Sequence, residues 1–340
     1  MSSSIHKSRA IIMALLFSLF FSCLAYAEDT VKLSSGTVIE GKIAEQNDAY
    51  LKIEVGGLML KFELKDIEEI NGVKLKKEPT DIELNDAGLC VNRGKIYFNQ
   101  GKYDKALADF SRAVKLNPQL AEAYNLRGLT YVRLQDTDNA AADYDKAIEL
   151  DPANPYPYLD RGLIYARKGD LDKAMADYNK AISLKPDIPE AYSTRGTLHF
   201  YKKELDEASS DYTRALGFNP KSTEALMGRA LVYAYKGDLK RAIADYSKVI
   251  EIKPDDYLGY LSRASAYEKN EDYSLALPDF KRAAELNPKD PVIFSLRANI
   301  YFKMKDYDNA WKDVYKVVGL GSKINQSFLE ELKKESGRDQ

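Results

Sequence analysis

Small, aromatic and charged residues return every 34 positions in this chain, from about residue 87 to residue 320. Columns of alanine, of Arg followed by Gly or Ala, and of aspartate keep this step through seven copies. The alanines are Ala106, Ala140, Ala174, Ala208, Ala242, Ala276 and Ala310. A strict period in seven tandem copies predicts a repeat architecture, in which each copy buries its apolar face against its neighbours.

Each copy carries the signals of two helices that are joined by a tight turn. Asn154-Pro155 and Asp290-Pro291 predict the start of the first helix (helix A), because Asn or Asp caps free N–H groups and Pro suits the first turn. Proline near the end of six copies, such as Pro152, predicts the end of the second helix (helix B). The predicted helix B caps are Asp136, Asp170, Asp238, Asp272 and Asp306. Pro278 lies inside one helix B and should bend it.

Counted from Ala87, the copies resemble the tetratricopeptide repeat (TPR) family at residues 87–320. The matching residues of the first copy are Gly94, Tyr97, Ala106, Phe110, Ala113 and Pro118, at positions 8, 11, 20, 24, 27 and 32. The resemblance implies a mainly α fold, in which helical hairpins form a right-handed α-solenoid. Three departures are local: His199 replaces the fourth copy's aromatic at position 11, Val314 replaces the seventh copy's aromatic at position 24, and the seventh copy lacks the final proline.

Arginine at position 7 and aspartate at position 23 occur in all seven copies. Both lie eight residues from position 15, at the turn, so the antiparallel hairpin should bring them to the same height. We therefore predict seven structural ion pairs. The pairs are Arg93 with Asp109, Arg127 with Asp143, Arg161 with Asp177, Arg195 with Asp211, Arg229 with Asp245, Arg263 with Asp279, and Arg297 with Asp313.

The first 27 residues have the pattern of a secretory signal peptide. Lys7 and Arg9 precede an apolar stretch, and Ala25-Tyr26-Ala27 is an A-x-A cleavage site. The stretch is shorter than the about 20 residues that span a bilayer. The chain is thus predicted to be exported to a bacterial periplasm or outside the cell, with no integral membrane span after cleavage. Two alternatives are an uncleaved anchor and a lipoprotein signal at Cys23.

Residues 28–71 predict a small all-β, barrel-like domain, and residues 72–86 predict an exposed linker. Apolar residues alternate with polar ones, and Gly56-Gly57 predicts a hairpin turn. The segment resembles a small SH3-like or Sm-like barrel, and its order of residues from Val31 to Ile43 looks like the first Sm motif. Leu51 and Lys65-Asp66 stand where the Sm family reads RNA, so a structural or protein-docking role is favoured over nucleic-acid or ligand binding.

At the other end of the chain, Gly319-Leu320-Gly321 ends the periodic pattern. Apolar residues then recur at helical spacing between Ile324 and Leu332. Residues 321–340 therefore predict a C-terminal capping helix and tail that cover the last repeat.

Charge and composition exclude several classes of function. The formal net charge is −2, and removing the leader with Lys7 and Arg9 makes it −4, which argues against a general nucleic-acid binder. Beyond the leader only His199 and Cys90 remain of their types, so the usual zinc site is not expected. No phosphate-binding loop, nucleophile elbow or His-based triad occurs. No cofactor, metal or catalytic residue is predicted.

The resemblance to TPR proteins implies a concave groove lined by helix A positions 2, 5, 9, 12 and 13. The residues selected at these positions are aromatic, aliphatic or cationic, which suits an extended peptide with some acidic character. They are Phe98, Val132, Arg133, Leu163, Arg167, Phe200, Tyr201, Leu231, Tyr235, Lys269, Phe302 and Lys303. The clamp with which some TPR proteins hold a terminal carboxylate is missing, because its places hold Val91, Lys95, Leu126, Tyr156 and Asp160.

These patterns favour an exported, non-enzymatic scaffold that binds a protein segment or peptide in its groove. The β domain would add a second surface for docking or self-association. An accessory subunit of a cell-envelope enzyme or of a secretion complex is a second hypothesis, and ligand or nucleic-acid binding by the β domain is a third. Because TPR architecture supports many roles, the step from fold to role is an analogy.

Overall fold

The computed structural model describes residues 29–33, 38–46, 50–55, 58–63, 67–70, 73–74 and 86–338. The predicted signal peptide, residues 1–27, lies outside the described residues. The chain divides into two compact units, a first unit that ends at Pro186 and a second unit that starts at Asp187.

Six antiparallel strands form a small sheet in the first unit. They are β1 (Asp29–Leu33), β2 (Val38–Gln46), β3 (Tyr50–Val55), β4 (Leu58–Glu63), β5 (Ile67–Ile70) and β6 (Val73–Lys74). Their order in the sheet is β4-β3-β2-β1-β5-β6. Val55 pairs with Leu58, as the predicted Gly-Gly hairpin requires. The core of the sheet contains Val31, Leu51, Ile53, Ile67 and Ile70.

The β part of the fold is confirmed, and closure of this sheet into a barrel stays a prediction. Strand β6 lies within the segment 72–86 that the sequence predicted as a linker, and it pairs with β5 through Ile70 and Val73. The sheet therefore extends a few residues beyond the predicted boundary.

Fifteen helices follow in the described part of the chain, two for each predicted copy and one at the end. The helices are α1 (Ala87–Asn99), α2 (Tyr103–Leu116), α3 (Ala121–Arg133), α4 (Thr137–Leu150), α5 (Pro155–Lys168), α6 (Leu171–Leu184), α7 (Pro189–Tyr201), α8 (Leu205–Phe218), α9 (Thr223–Tyr235), α10 (Leu239–Ile252), α11 (Tyr257–Lys269), α12 (Tyr273–Leu286), α13 (Pro291–Lys303), α14 (Tyr307–Gly319) and α15 (Gln326–Ser336). The tandem helical hairpins confirm the predicted repeat fold.

Side-chain caps open most of the second helices at the predicted aspartates. Asp136, Asp170, Asp238 and Asp306 each accept a hydrogen bond from the backbone N–H three residues later. The prediction is wrong for Asp272, which makes no such bond and instead accepts one from the Asn270 side chain. The backbone carbonyl of Asp272 accepts from the N–H groups of Leu275 and Ala276, so the first turn of this helix forms without the side-chain cap.

The turn between the two helices of each hairpin needs one residue in the left-handed backbone region. Glycine meets this need at Gly101, Gly169 and Gly237, with φ of 71° to 83°. Gln135, Lys203, Glu271 and Lys305 hold the same position in the other four copies, with φ of 60° to 64°. Glycine there is thus favourable and not essential.

The proline inside a helix B, Pro278, does not end its helix, because α12 continues from Tyr273 to Leu286.

Glycine at position 8 lets the two helices of a hairpin approach closely. A Cβ added to Gly162 would lie 2.6 Å from Cε1 of Tyr178, which is buried at 1% exposure. Contacts under 3.0 Å force a neighbour to shift. Copies five, six and seven have the fully buried Ala230, Ala264 and Ala298 at this position instead.

Gly162→Ala is expected to lower the free energy of unfolding by about 1–3 kcal/mol, the usual cost of overpacking. Gly217→Ala is the matched control, since no atom in the described part of the chain lies within 4 Å of its added Cβ. That control should raise stability by about 0.5–1 kcal/mol through lower backbone entropy in the unfolded chain. Urea denaturation followed by circular dichroism measures both. Equal gains in the two variants would contradict close packing at Gly162.

Candidate functional site

The position-7 arginines meet the position-23 aspartates in every hairpin. In the third copy, Nε of Arg161 donates to Oδ2 of Asp177 at 2.9 Å and Nη2 donates to Oδ1 at 2.7 Å. The other six pairs have the same two-pronged geometry, with distances of 2.6–2.9 Å. All seven aspartates are buried. The structure thus brings each predicted pair together, between the two helices of a hairpin.

Each arginine also has an environment that extends beyond its own pair. The Arg161 guanidinium lies 5.8 Å from the ring centre of Tyr158 and 5.7 Å from that of Tyr165. Its Nη1 donates to Asp145 of the preceding copy at 2.6 Å. Arg263 donates to Ser247 of its preceding copy in the same manner. These arginines therefore connect neighbouring repeats as well as the two helices of one hairpin.

Hydrogen bonds to the aspartates raise the pKa of these arginines. The bond to Asp177 raises the pKa of Arg161, and the bond to Asp109 does the same for Arg93. Both groups therefore carry their charge at every pH at which the protein is studied. They are structural cations, and they do not release a proton near neutral pH.

Four of the twelve predicted groove residues are buried, which corrects their assignment to an accessible surface. Phe98, Val132, Leu163 and Phe200 are 6–8% exposed. Phe98 packs edge to face on Tyr103, and Phe200 packs edge to face on Tyr235 of the next copy at 5.1 Å. Phe200 is thus covered by a side chain of the next repeat, whereas Phe98 is covered by a side chain of helix B in its own repeat.

In the first unit, the remaining predicted groove residues are two cations. Arg133 is partly buried, with its guanidinium 5.8 Å from the ring centre of Phe98, and Arg167 is exposed. Partial desolvation lowers the pKa of Arg167. Lys95, at position 9 of α1, forms an ion pair with Glu122 at 2.7 Å. In this unit, position 13 of helix A therefore holds arginine in the second and third copies, whereas it holds Asn99 in the first copy.

In the second unit, position 13 changes from aromatic to cationic along the chain. Tyr201 is partly buried and Tyr235 is 48% exposed. Lys269 and Lys303 are exposed, and Nζ of Lys269 donates to the carbonyl of Ala234 at 2.8 Å. The two remaining residues, Leu231 and Phe302, are partly buried, and Phe302 contacts Phe328 of the capping helix.

Two buried polar residues of these helices were not among the predicted groove residues. Asn125 is 8% exposed, and its Oδ1 is buried with no hydrogen-bond partner among the described residues. Asp160, one helix A further along, is 4% exposed. The signal was present in the sequence at Asn125, because position 5 holds Val91 and Leu159 in the two neighbouring copies.

The described residues contain one histidine and one cysteine, His199 and Cys90, and both contact neighbouring side chains. Nδ1 of His199 lies 2.6 Å from Oε2 of Glu204, and Cys90 is fully buried beside Ala113 and Ala123. Burial raises the pKa of the Cys90 thiol. Within the described ranges, no cluster of three or more His, Cys, Asp or Glu residues could hold a metal ion.

Comparison with protein families gives matches along the repeats. Family profiles described as "TPR repeat" match residues 94–135, 130–169 and 162–202. Profiles described as "Tetratricopeptide repeat" match residues 189–222, 223–256 and 261–321. Together they cover well over half of the chain.

Two solved structures share the fold. A tetratricopeptide repeat protein from Parabacteroides merdae is 22% identical, with a TM-score of 0.53, over 74% of this chain and 99% of that chain. The pilF protein of Pseudomonas aeruginosa is 16% identical, with a TM-score of 0.57, over 63% of this chain and 97% of that chain. At these identities the likeness concerns the fold alone.

One curated relative matches over a short stretch. The TPR repeat-containing thioredoxin TDX of Oryza sativa subsp. japonica is 38% identical over 56 residues, which are 16% of this chain. The match spans only 18% of that relative's length, so the thioredoxin in its name is a property of that protein.

Proposed function

The chain belongs to the tetratricopeptide repeat family, and we propose that it is a non-catalytic scaffold that binds an extended segment of a partner protein along its helix A faces. One observation carries the proposal: position 13 of successive helices A places large aromatic or cationic side chains at the surface. In the second unit these are Tyr201, Tyr235, Lys269 and Lys303. Packing within and between the repeats accounts for the buried aromatic side chains. It does not account for the aromatic and cationic side chains at position 13.

The chemistry of the row selects a class of partner. Tyrosine supplies a rigid apolar ring together with a hydroxyl group, and such side chains are common at the centre of protein interfaces. Tyr235 has its ring held by Phe200, so little side-chain freedom is lost on binding. Lys269 and Lys303 favour acidic residues in the bound segment. The partner segment should therefore combine apolar and acidic side chains.

We also propose that the protein acts outside the cytoplasm. The support is the N-terminal pattern of Lys7 and Arg9, an apolar stretch and Ala25-Tyr26-Ala27. Among the described residues, none of the helices combines the length and apolar character needed to cross a bilayer.

Site-specific photo-crosslinking in the organism that encodes the protein tests the proposed binding face. A photoreactive residue replaces Tyr201 or Tyr235 and, as the matched control, the exposed Lys248 on helix B of the same copy as Tyr235. One discrete crosslinked protein from the two tyrosine positions, and none from Lys248, is the expected result. Equal and diffuse labelling from all three positions would overturn the proposal.

A further inference from the structure

Two positions of the repeat meet where one copy packs on the next. Position 3, in the first turn of helix A, lies on position 28 of the preceding helix B: a Cβ added to Gly259 would lie 3.0 Å from Cγ1 of Ile250. Val114 and Ala123, which hold these positions in the first and second copies, belong to one apolar cluster. Position 3 is buried in copies two to seven, and position 28 is buried or partly buried in copies one to six. The contact therefore belongs to the junctions between repeats in both units.

The same two positions are exposed at the two ends of the array of seven copies. Leu89, at position 3 of the first copy, is 40% exposed, and Val318, at position 28 of the seventh copy, is 59% exposed. Tyr315, about one turn before Val318 on α14, is 55% exposed. Each end of the array therefore shows one half of a contact that the junctions inside it complete.

The capping helix α15 leaves this part of the seventh copy uncovered. Its Leu332 packs with Trp311, nearer the start of α14. Ser327, which the 34-residue step places at position 3, is exposed and does not cover Val318. Tyr315 stacks on Trp311 at 5.6 Å between ring centres, which places its ring at the border of α15. The exposed surface of Tyr315 and Val318 (the end face) is therefore an apolar patch beside the capping helix.

We propose that a second copy of this chain docks on the end face through the first turn of its α1, with Leu89 packed against Val318 and Tyr315. The support is continuity with the junctions inside the array, where positions 3 and 28 make this contact. Both faces are apolar, so their association removes apolar surface from water. Because the two faces differ, the contact is heterologous, and each added copy presents a further end face. This inference goes beyond the proposed function and does not rest on it.

Charge substitutions at each face test the proposal. In sedimentation equilibrium, the mean mass of the purified protein should rise with its concentration. Leu89→Glu and Val318→Glu should each stay monomeric over the same range, because each variant has lost one of the two faces. Both replaced residues are exposed, so the variants should fold, which circular dichroism checks. Leu275→Glu is the matched control, since Leu275 is 51% exposed and lies at neither face, and it should associate like the wild type.

An equimolar mixture of the two monomeric variants gives a sharper result. Leu89→Glu keeps an intact end face, and Val318→Glu keeps an intact α1. One contact can therefore form between the two variants, and no further copy can then add. The mixture should show a complex of twice the monomer mass, which neither variant forms alone.

Four results would overturn the inference. A wild-type protein that stays monomeric would show that the end face does not take a second copy, and association that survives both substitutions would place the contact elsewhere. Loss of association in only one of the two variants would show that copies join through the same face twice. A mixture that stays monomeric would show that the two faces do not meet. In each case, crosslinking at Tyr201 and Tyr235 would still test the proposed function separately.

Discussion

Arg161→Met is expected to lower the free energy of unfolding by about 3–5 kcal/mol, because it leaves the buried carboxylate of Asp177 without its partner. Asp177 is 5% exposed and receives two hydrogen bonds from Arg161. Methionine keeps much of the aliphatic stem between Tyr158 and Tyr165, so the loss reports mainly on the charge. Urea denaturation followed by far-ultraviolet circular dichroism measures the effect.

Two further variants test whether the cost comes from the orphaned charge. Arg161→Met combined with Asp177→Leu should recover most of the stability, since replacing both partners of a buried pair is often neutral. Lys168→Met breaks an exposed pair with Asp138 and should change stability by at most about 1 kcal/mol. If the single Arg161 variant lost no more than the Lys168 control, a structural role for the repeated pairs would be wrong.

The pH dependence of this contribution follows from the raised pKa of Arg161. A group whose pKa is higher in the folded state stabilises the fold fully below its unfolded pKa, and the contribution is lost only as the pH rises through the folded value. The arginine side of the pairs is therefore constant across neutral pH. The difference between wild type and the double variant Arg161→Met/Asp177→Leu, which leaves no buried carboxylate without its partner, should accordingly be the same at pH 6 and pH 8.

Leu332→Ala is expected to destabilise the C-terminal end by about 2–5 kcal/mol, the usual cost of a cavity at a fully buried leucine. Leu332 is 0% exposed and packs with Trp311 and Val314 of the last hairpin. Nε1 of Trp311 also donates to Oγ of Ser336 at 3.0 Å, which fixes the end of α15. Removal of the Leu332 side chain should therefore destabilise both the capping helix α15 and helix α14, on which it packs.

The only tryptophan of the chain, Trp311, reports this event locally. Because each repeat of a solenoid contacts only its neighbours, damage at the end should spread poorly. The urea midpoint from Trp311 fluorescence should fall well below the midpoint from circular dichroism in Leu332→Ala. Glu331→Ala, an exposed change on the same helix, is the control. Equal shifts of both signals would contradict local unfolding and show that the end unfolds together with the other repeats.

The periodic sequence predicted much of the fold because the information that it needed lies within one copy. Helix starts at Asn154 and Asp290 depend on a side chain and on backbone groups two residues away, and both caps form as expected. Equal distance from the turn was enough to bring Arg161 and Asp177 to the same height. These features need no knowledge of the neighbouring repeat.

Features that depend on contacts between copies were harder to predict. Phe200 was expected at an accessible surface, and it is covered by Tyr235 of the next copy. Val132 and Leu163 are buried as well. The position of a residue in the repeat predicts the direction in which its side chain points. It does not predict the size of the side chain that a neighbouring repeat packs against it.

By itself, the sequence determined the number of hairpins, their limits and the ion pairs within them, since local backbone geometry and an exact period decide these. Only the tertiary structure decided which helix A residues remain exposed, that Asp272 opens its helix without a side-chain cap, and that the Asn125 oxygen has no hydrogen-bond partner within the described ranges. The physical reason is that exposure and hydrogen-bond satisfaction depend on all neighbours in space, and in this protein many of those neighbours belong to the adjacent repeat.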